Sequence, residues 1–301
     1  MKFLFPIFTI ALLFFDVASA QINSPASDPL RVIAIFAHPD DADFRMGGTA
    51  TLMAQAGHKV KFISITNGNA GHHEKGGGVL AKIRRAEAEE AARRYGIEEY
   101  EVWDYDDAKL LPELHIRMDV IRAIREWNAD VVIGLRPNDY HPDHRNAGKL
   151  VIDASYMVIV PNVVSDTEPL KNNPVFLYMQ DNFSKPNPFS HDIAVSIDET
   201  IANKVDGLDA HVSQVYEWMP WTMGVLDDVP NKEDAEARKN WLQNTYLNRE
   251  ISEAQRESLI KYYSERRAMS FQHAESFEIA EYGTTPTEEQ IRMIFPMLPQ
   301  R

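Results

Sequence analysis

Val32-Ile33-Ala34-Ile35-Phe36-Ala37-His38-Pro39-Asp40-Asp41 is an apolar run followed at once by an imidazole and two adjacent carboxylates in one turn. A short β-branched and aromatic run of this kind reads as a buried parallel strand entering a loop, and in open α/β sheets ligands sit beyond the carboxyl ends of the strands. His38 and Asp41 are separated by two residues, so a turn around Pro39 brings a ring nitrogen and a carboxylate oxygen to one cation at about 2.0–2.2 Å. Asp40 lies between them and is free to point elsewhere. Read by itself, the turn is equally an Asp pair capping the next helix, with His38 a satisfied loop histidine.

A second strand-like run, Val131-Val132-Ile133-Gly134-Leu135, leads into Pro137-Asn138-Asp139-Tyr140-His141-Pro142-Asp143-His144-Arg145. In a parallel sheet, strand ends of one polarity share an edge, so two His-Pro-Asp turns about a hundred positions apart can meet there. The first turn then offers two metal ligands and the second a third. Three protein ligands with one position left for water make a catalytic zinc site, whereas structural sites are closed by four ligands, often cysteines. The chain has no cysteine, which excludes cysteine-type structural zinc, disulfides and thiol nucleophiles. The same donors would accept iron or cobalt.

The segments Ala37-His38-Pro39-Asp40-Asp41-Ala42-Asp43, Gly47-Gly48-Thr49 and His141-Pro142-Asp143-His144-Arg145 resemble the LmbE/PIG-L family of zinc-dependent N-deacetylases. Thr66-Asn67-Gly68, Arg84-Arg85-Ala86-Glu87-Ala88 and Leu208-Asp209-Ala210-His211-Val212-Ser213-Gln214 extend the resemblance over roughly positions 31 to 218. It implies one zinc per chain, held by His38, Asp41 and His144, with Asp40 as general base. It further implies that Arg84 contributes to the substrate region and that Asp107 is the family's loop acid. Family members usually carry Glu one or two places after the Asp pair. Here Ala42 and Asp43 stand there, and Asp43 is expected to take that acid's place behind the ligands with a shorter reach.

The chemistry agrees with these roles. Amide hydrolysis at neutral pH needs a nucleophile better than water, and bound zinc lowers the pKa of its water from 15.7 to about 7. Asp40, adjacent to a ligand without being one, has the placement of a base. His141, three residues before His144, is the second donor to the developing oxyanion if protonated, or else a brace of the turn. Asp40 or His141 returns a proton to the leaving amine. Asp143 is expected to cap the helix beginning near Arg145 or to support a ligand. Tyr140, Asn67, Arg84 and Asp107 are the candidate substrate contacts, against surface or turn roles for the last two. His211 is expected to be a packed or surface helix residue and not a ligand.

Strand and helix alternate along the chain. Helices are expected at 47–57, 79–95, 116–127, 145–156 and 199–218, and strands at 60–66, 101–105, 130–135, 174–179 and 193–197, with a Gly-rich loop at 67–78. The expected fold is therefore α/β, a Rossmann-like three-layer sandwich with a mostly parallel sheet. Charged helical patterns at 232–247 and 252–277 predict a C-terminal helical extension, residues 219–301, packed on a deacetylase-like domain at 21–218. Residues 286–301 read as a loosely packed tail. Trp218 and Trp221 are candidates to stack on a sugar ring.

Lys2, the apolar stretch from Phe3 to Phe15 and Ala18-Ser19-Ala20 read as a secretory signal peptide at 1–20, implying a periplasmic or extracellular protein with no stable membrane insertion after cleavage. The formal net charge of −14 is unchanged by removing that segment, because Lys2 and Asp16 cancel. Such acidity argues against nucleic acid or an anionic membrane as partner. The expected activity is zinc-dependent removal of acetyl from an N-acetylated sugar, of N-acetylglucosamine type in a conjugate or oligosaccharide. An amidase on another small N-acyl conjugate and a non-catalytic carbohydrate-binding protein are the alternatives, and a homo-oligomer is compatible with each.

Overall fold

The computed structural model describes residues 28–299, so the signal peptide read at 1–20 lies outside the described residues. Among those described, no helix is long and apolar enough to cross a membrane.

The chain begins with β1 (Arg31–Phe36), α1 (Asp41–Gln55), β2 (Lys59–Thr66), α2 (Gly77–Tyr95) and β3 (Glu99–Tyr105). It continues through α3 (Leu114–Glu126), β4 (Val131–Gly134), α4 (Pro142–Ser155), β5 (Val175–Met179), β6 (Ile193–Ser196) and α5 (Ile201–Asp209). A π-helical turn, Ser213–Trp218, leads into α6 (Met219–Met223), and α7 (Ala235–Leu242) runs into a second one, Gln243–Leu247. Then come α8 (Glu253–Tyr262), α9 (Glu265–Ser270), β7 (Ala274–Gly283) and α10 (Glu288–Ile294).

The strands form one sheet in the order β3-β2-β1-β4-β5-β7-β6. β1 to β5 are parallel neighbours, and β7 pairs antiparallel with β5 and β6. This is the expected α/β sandwich, with a mostly parallel sheet between helices and further helices at the C-terminal end. Val32 to Phe36 and Val132 to Ile133 are fully buried, as strands covered on both faces require. The chain winds outward from β1 through β2 to β3, then returns to place β4 on the other side of β1. The crevice between the carboxyl ends of β1 and β4 is thus the switch point of the sheet, where open α/β folds place their ligands.

Four local readings need correction. α1 begins at Asp41, not at Gly47, because Gly47 and Gly48 serve close packing rather than a helix start. A β-carbon on Gly47 would lie 3.0 Å from the Tyr95 ring, one on Gly207 1.9 Å from the same ring, and one on Gly48 2.8 Å from Ile197. α4 begins at Pro142, a residue suited to the first helical position, so Asp143 and His144 sit in its first turn. Residues 252–277 are not one helical stretch: Ala274–Gly283 is a strand inserted between β5 and β6, which adds a sheet contribution to the C-terminal extension. The tail packs instead of fraying, since a Thr287–Gln290 capping box starts α10 and Ile291, Ile294, Phe295 and Leu298 are buried in the core.

Candidate metal centre

The first turn of α1 folds back over the end of β1. Asp41 Oδ2 accepts hydrogen bonds from the backbone N–H of Ala37 (3.1 Å) and His38 (2.9 Å), which fixes the carboxylate beside the His38 ring. Asp41 Oδ1 lies 3.1 Å from His144 Nε2, which lies 3.1 Å from His38 Nδ1; His38 Nδ1 is 3.7 Å from Asp41 Oδ2. A tetrahedral ion with bonds near 2.0–2.1 Å holds its ligand atoms about 3.3 Å apart. His144 Nε2 is near that spacing from both His38 Nδ1 and Asp41 Oδ1, while the Asp41 oxygen measured against His38 is the other one, Oδ2, at 3.7 Å.

The outer nitrogens of both rings meet carboxylates. His38 Nε2 lies 3.1 Å from Asp107 Oδ1 and 3.4 Å from Asp143 Oδ2, while His144 Nδ1 lies 3.0 Å from Asp139 Oδ1. These acids are themselves positioned by backbone: Asp143 accepts from Ala108 and Leu110, Asp107 from Ala70, and Asp139 from His141. Carboxylates behind ligand histidines fix the ring tautomer and aim the inner lone pair. Burial works against charge on both rings, but the surrounding carboxylates outweigh it and raise His38 to about 10 and His144 to about 9. Burial also works against charge on Asp41, yet His144 and then His38 hold it well below the usual carboxylate range.

Asp40 precedes α1 with φ 154°, a conformation that L side chains rarely adopt and that costs of the order of 1–3 kcal/mol. Its carboxyl is pushed up to about 6 by burial and by the charge of Asp41, with Arg84, His211 and His38 opposing. Arg84 is not on a solvated face: it is 2% exposed, lines the cavity and donates from Nη2 to the Gly71 carbonyl at 2.7 Å.

Several other expected site residues sit differently. Asp43 turns away from the ligands, accepting from Tyr100 Oη at 2.9 Å and facing His211 Nε2 at 3.0 Å. His211 is thus a packed residue, as one of the two expectations had it, fully buried between α5 and the π-helical turn and paired with Asp43. The helix cap at α4 is His141 and not Asp143, for the His141 Nδ1 accepts from the Asp143 backbone N–H at 3.2 Å. That nitrogen is consequently unprotonated, and burial, His38 and His144 all lower the ring's pKa. A neutral His141 keeps its hydrogen on Nε2, so it remains a donor without the charge expected of it.

Asp107 backs His38 and lines the cavity, whereas Asn67 is spent within its loop, donating to Asp104 Oδ1 at 3.0 Å and accepting from the Asn69 N–H at 3.1 Å. Tyr140 is 73% exposed at the cavity rim, its ring edge-on to His141 and His144. Trp221 is stacked between neighbours, 5.3 Å from Trp218 and 5.2 Å from His73, leaving Trp218 as the tryptophan that lines the cavity.

Two positions escaped the sequence reading. Asp139 was legible only as part of a turn, although it stands two residues before His141. Arg136 makes a two-pronged pair with Asp181 at 2.7 and 2.6 Å and also donates to the carbonyls of Phe183 and Asn187, shaping the loop after β5 that walls the cavity.

Residues 33–155 match the family described as PIG-L: GlcNAc-PI de-N-acetylase. The chain is 29% identical over 213 residues to the diacetylchitobiose deacetylase of Thermococcus kodakarensis, spanning 67% of this chain and 77% of that protein. It is 27% identical over 226 residues to a probable N-acetyl-alpha-D-glucosaminyl L-malate deacetylase 2 of Bacillus cereus, spanning 70% and 94%. In fold it is similar to the N,N'-diacetylchitobiose deacetylase from Pyrococcus horikoshii, with TM-score 0.61 and 24% identity over 91% of this chain and 93% of that one. It is equally similar to the 4-carboxy-2-hydroxymuconate hydratase GalB from Pseudomonas putida, with TM-score 0.61 and 17% identity over 86% and 99%, so the fold alone does not name the reaction. The matching segment carries both His-Asp turns that meet at the switch point, and over it the chain resembles the PIG-L/LmbE deacetylases.

Proposed function

We infer that the chain is a zinc-dependent N-deacetylase acting on an N-acetylated sugar, of N-acetylglucosamine type in a conjugate or oligosaccharide, and that it works after export through the segment at 1–20. The observation that carries this reading is the position of His144 Nε2, 3.1 Å from both His38 Nδ1 and Asp41 Oδ1, with Asp40 on the wall of the same cavity.

Two other groupings, His38-His141-His144 and His38-Asp107-Asp143, each bring one ligand atom per side chain within 4.8 Å of one another. His141 is the weaker donor, because its Nδ1 already accepts a backbone N–H. Asp107 and Asp143 face the outer nitrogen of His38 and accept backbone N–H groups themselves. His38, Asp41 and His144 would hold the zinc, which when bound supplies a Lewis acid and an activated water.

Asp40 is the base of this reaction. With its carboxyl near 6 it is mostly ionised at neutral pH, takes the proton of the attacking water, and is then acidic enough to pass that proton to the departing amine. The neutral His141 donates from Nε2–H to the oxyanion that develops on the acetyl oxygen. Arg84, buried against the Gly71 carbonyl, holds the loop after β2 in place along the cavity and keeps a positive charge near Asp40. The products are acetate and the free amino sugar.

Metal analysis of the purified protein together with acetate release from a panel of N-acetyl sugars tests the proposal. Bound zinc and acetate from at least one sugar are expected. Turnover of an acyl amino conjugate but of no sugar would identify an amidase, and zinc-dependent sugar binding without product would identify a non-catalytic relative.

A further inference from the structure

The π-helical turn Ser213–Trp218 runs beside the cavity, and two of its side chains, Gln214 and Trp218, form part of the wall. It meets the loop after β2 at the acid behind His38. A β-carbon placed on Gly71 would lie 3.3 Å from Asp107 Oδ2, 3.8 Å from Arg84 Nη2 and 3.9 Å from Trp218 Nε1. The wall that carries Gln214 therefore borders the metal-ligand end of the cavity.

The polar neighbours of Gln214 are committed to protein partners. His211 Nε2 faces Asp43 Oδ1 at 3.0 Å, and Ser213 donates to Glu87 from its backbone N–H at 2.7 Å and from Oγ at 2.6 Å. Tyr216 Oη donates to Asp209 Oδ1 at 2.8 Å, while Glu217 accepts from Lys75 Nζ and faces His72 Nε2 at 2.8 Å. The turn is thus tied to α1, α2, α5 and the loop after β2. Gln214 differs, for its Oε1 is buried with no hydrogen-bond partner among the described residues. A buried acceptor without a partner is uncommon in a folded chain and calls for a guest that donates. Single π turns are also frequent at functional sites. A neutral amide oxygen accepts from a hydroxyl and offers nothing to a carboxylate or phosphate.

We propose that Gln214 is a specificity-determining residue: its Oε1 accepts a hydrogen bond from one hydroxyl of the N-acetylated sugar while the acetamido group lies at the His38–His144 end. That the guest is a sugar rests on the deacetylase reading above.

The test compares methyl N-acetylglucosaminide with three analogues, each lacking the hydroxyl at carbon three, four or six. The zinc-loaded protein is set against Gln214→Met, which keeps the side-chain length and removes the acceptor. Acetate release gives kcat/KM, and calorimetry in an Asp40→Asn background gives Kd independently of turnover. In the wild type one deoxy compound is expected to lose about 5- to 100-fold in both. Gln214→Met should lose the same factor with the parent glycoside and nothing further with that deoxy compound, keeping the wild-type ratios for the other two. It should melt no lower than the wild type, because the acceptor it removes has no protein partner to lose.

Equal use of all four glycosides by the wild type, or a uniform loss by a Gln214→Met protein that melts lower, would give Gln214 a structural role and overturn the proposal, with acetate release still supporting a deacetylase. Failure of all four to bind would remove the sugar reading and the proposal with it. Selective binding without acetate from any compound would keep the Gln214 contact and remove the deacetylase reading alone.

Discussion

His38 Nδ1 and His144 Nε2 face each other across 3.1 Å, while the opposite nitrogen of each ring lies against a carboxylate, Asp107 for His38 and Asp139 for His144. Each acid favours a hydrogen on the outer nitrogen and leaves the inner lone pair for a cation. At that separation the two inner nitrogens cannot both carry hydrogen toward one another.

Zinc binding should therefore release protons. The carboxylates raise metal-free His38 to about 10 and His144 to about 9, so the pair shares an excess proton at pH 7 that the ion must displace. Calorimetry in buffers of different ionisation heats is expected to show at least one proton released per zinc, and affinity rising about tenfold per pH unit for each. Stability follows the same sign. Groups with raised pKa contribute fully below about 6.5, the unfolded value, and the contribution is lost as pH rises through their folded values. The metal-free protein should then be less stable at pH 10 than at pH 6, and zero proton release would show both inner nitrogens already bare.

Asp40→Asn should lower kcat about a hundredfold to ten-thousandfold with zinc content unchanged. Asp40→Gly should be equally inactive but about 1 kcal/mol more stable than Asp40→Ala, because φ 154° suits glycine and strains alanine. Denaturant unfolding compares the two variants, and equal midpoints would refute the strain at this turn.

Asp139→Ala removes the carboxylate behind His144 without touching a ligand. Zinc affinity should fall about 10- to 100-fold, read by competition with a chelator. A loss of turnover at unchanged affinity would assign Asp139 to the substrate instead.

Glu275→Ala should cost about 3–5 kcal/mol, since it strands the buried Lys204 ammonium and two backbone N–H groups of α1. The double variant Lys204→Met with Glu275→Leu should recover part of that loss in urea unfolding. No recovery would mean that the α1 backbone contacts, rather than the stranded charge, dominate.

The sequence by itself determined where the site lies and what it is made of. An apolar run followed by a His-Pro-Asp turn is a local pattern, it occurs after β1 and after β4, and parallel strands carry such turns to one edge. The absence of cysteine likewise limited the metal chemistry from composition alone. The tertiary structure decided the partners behind those residues: which carboxylate backs which ring, that His141 is neutral, that Asp43 serves His211, 168 positions away, and that β7 enters the sheet to bring Glu275 onto α1. Such contacts join elements far apart in the chain and leave no period in either segment. Residues 274–277, the start of β7, therefore read as the end of a charged helix until pairing with β5 and β6 made them strand.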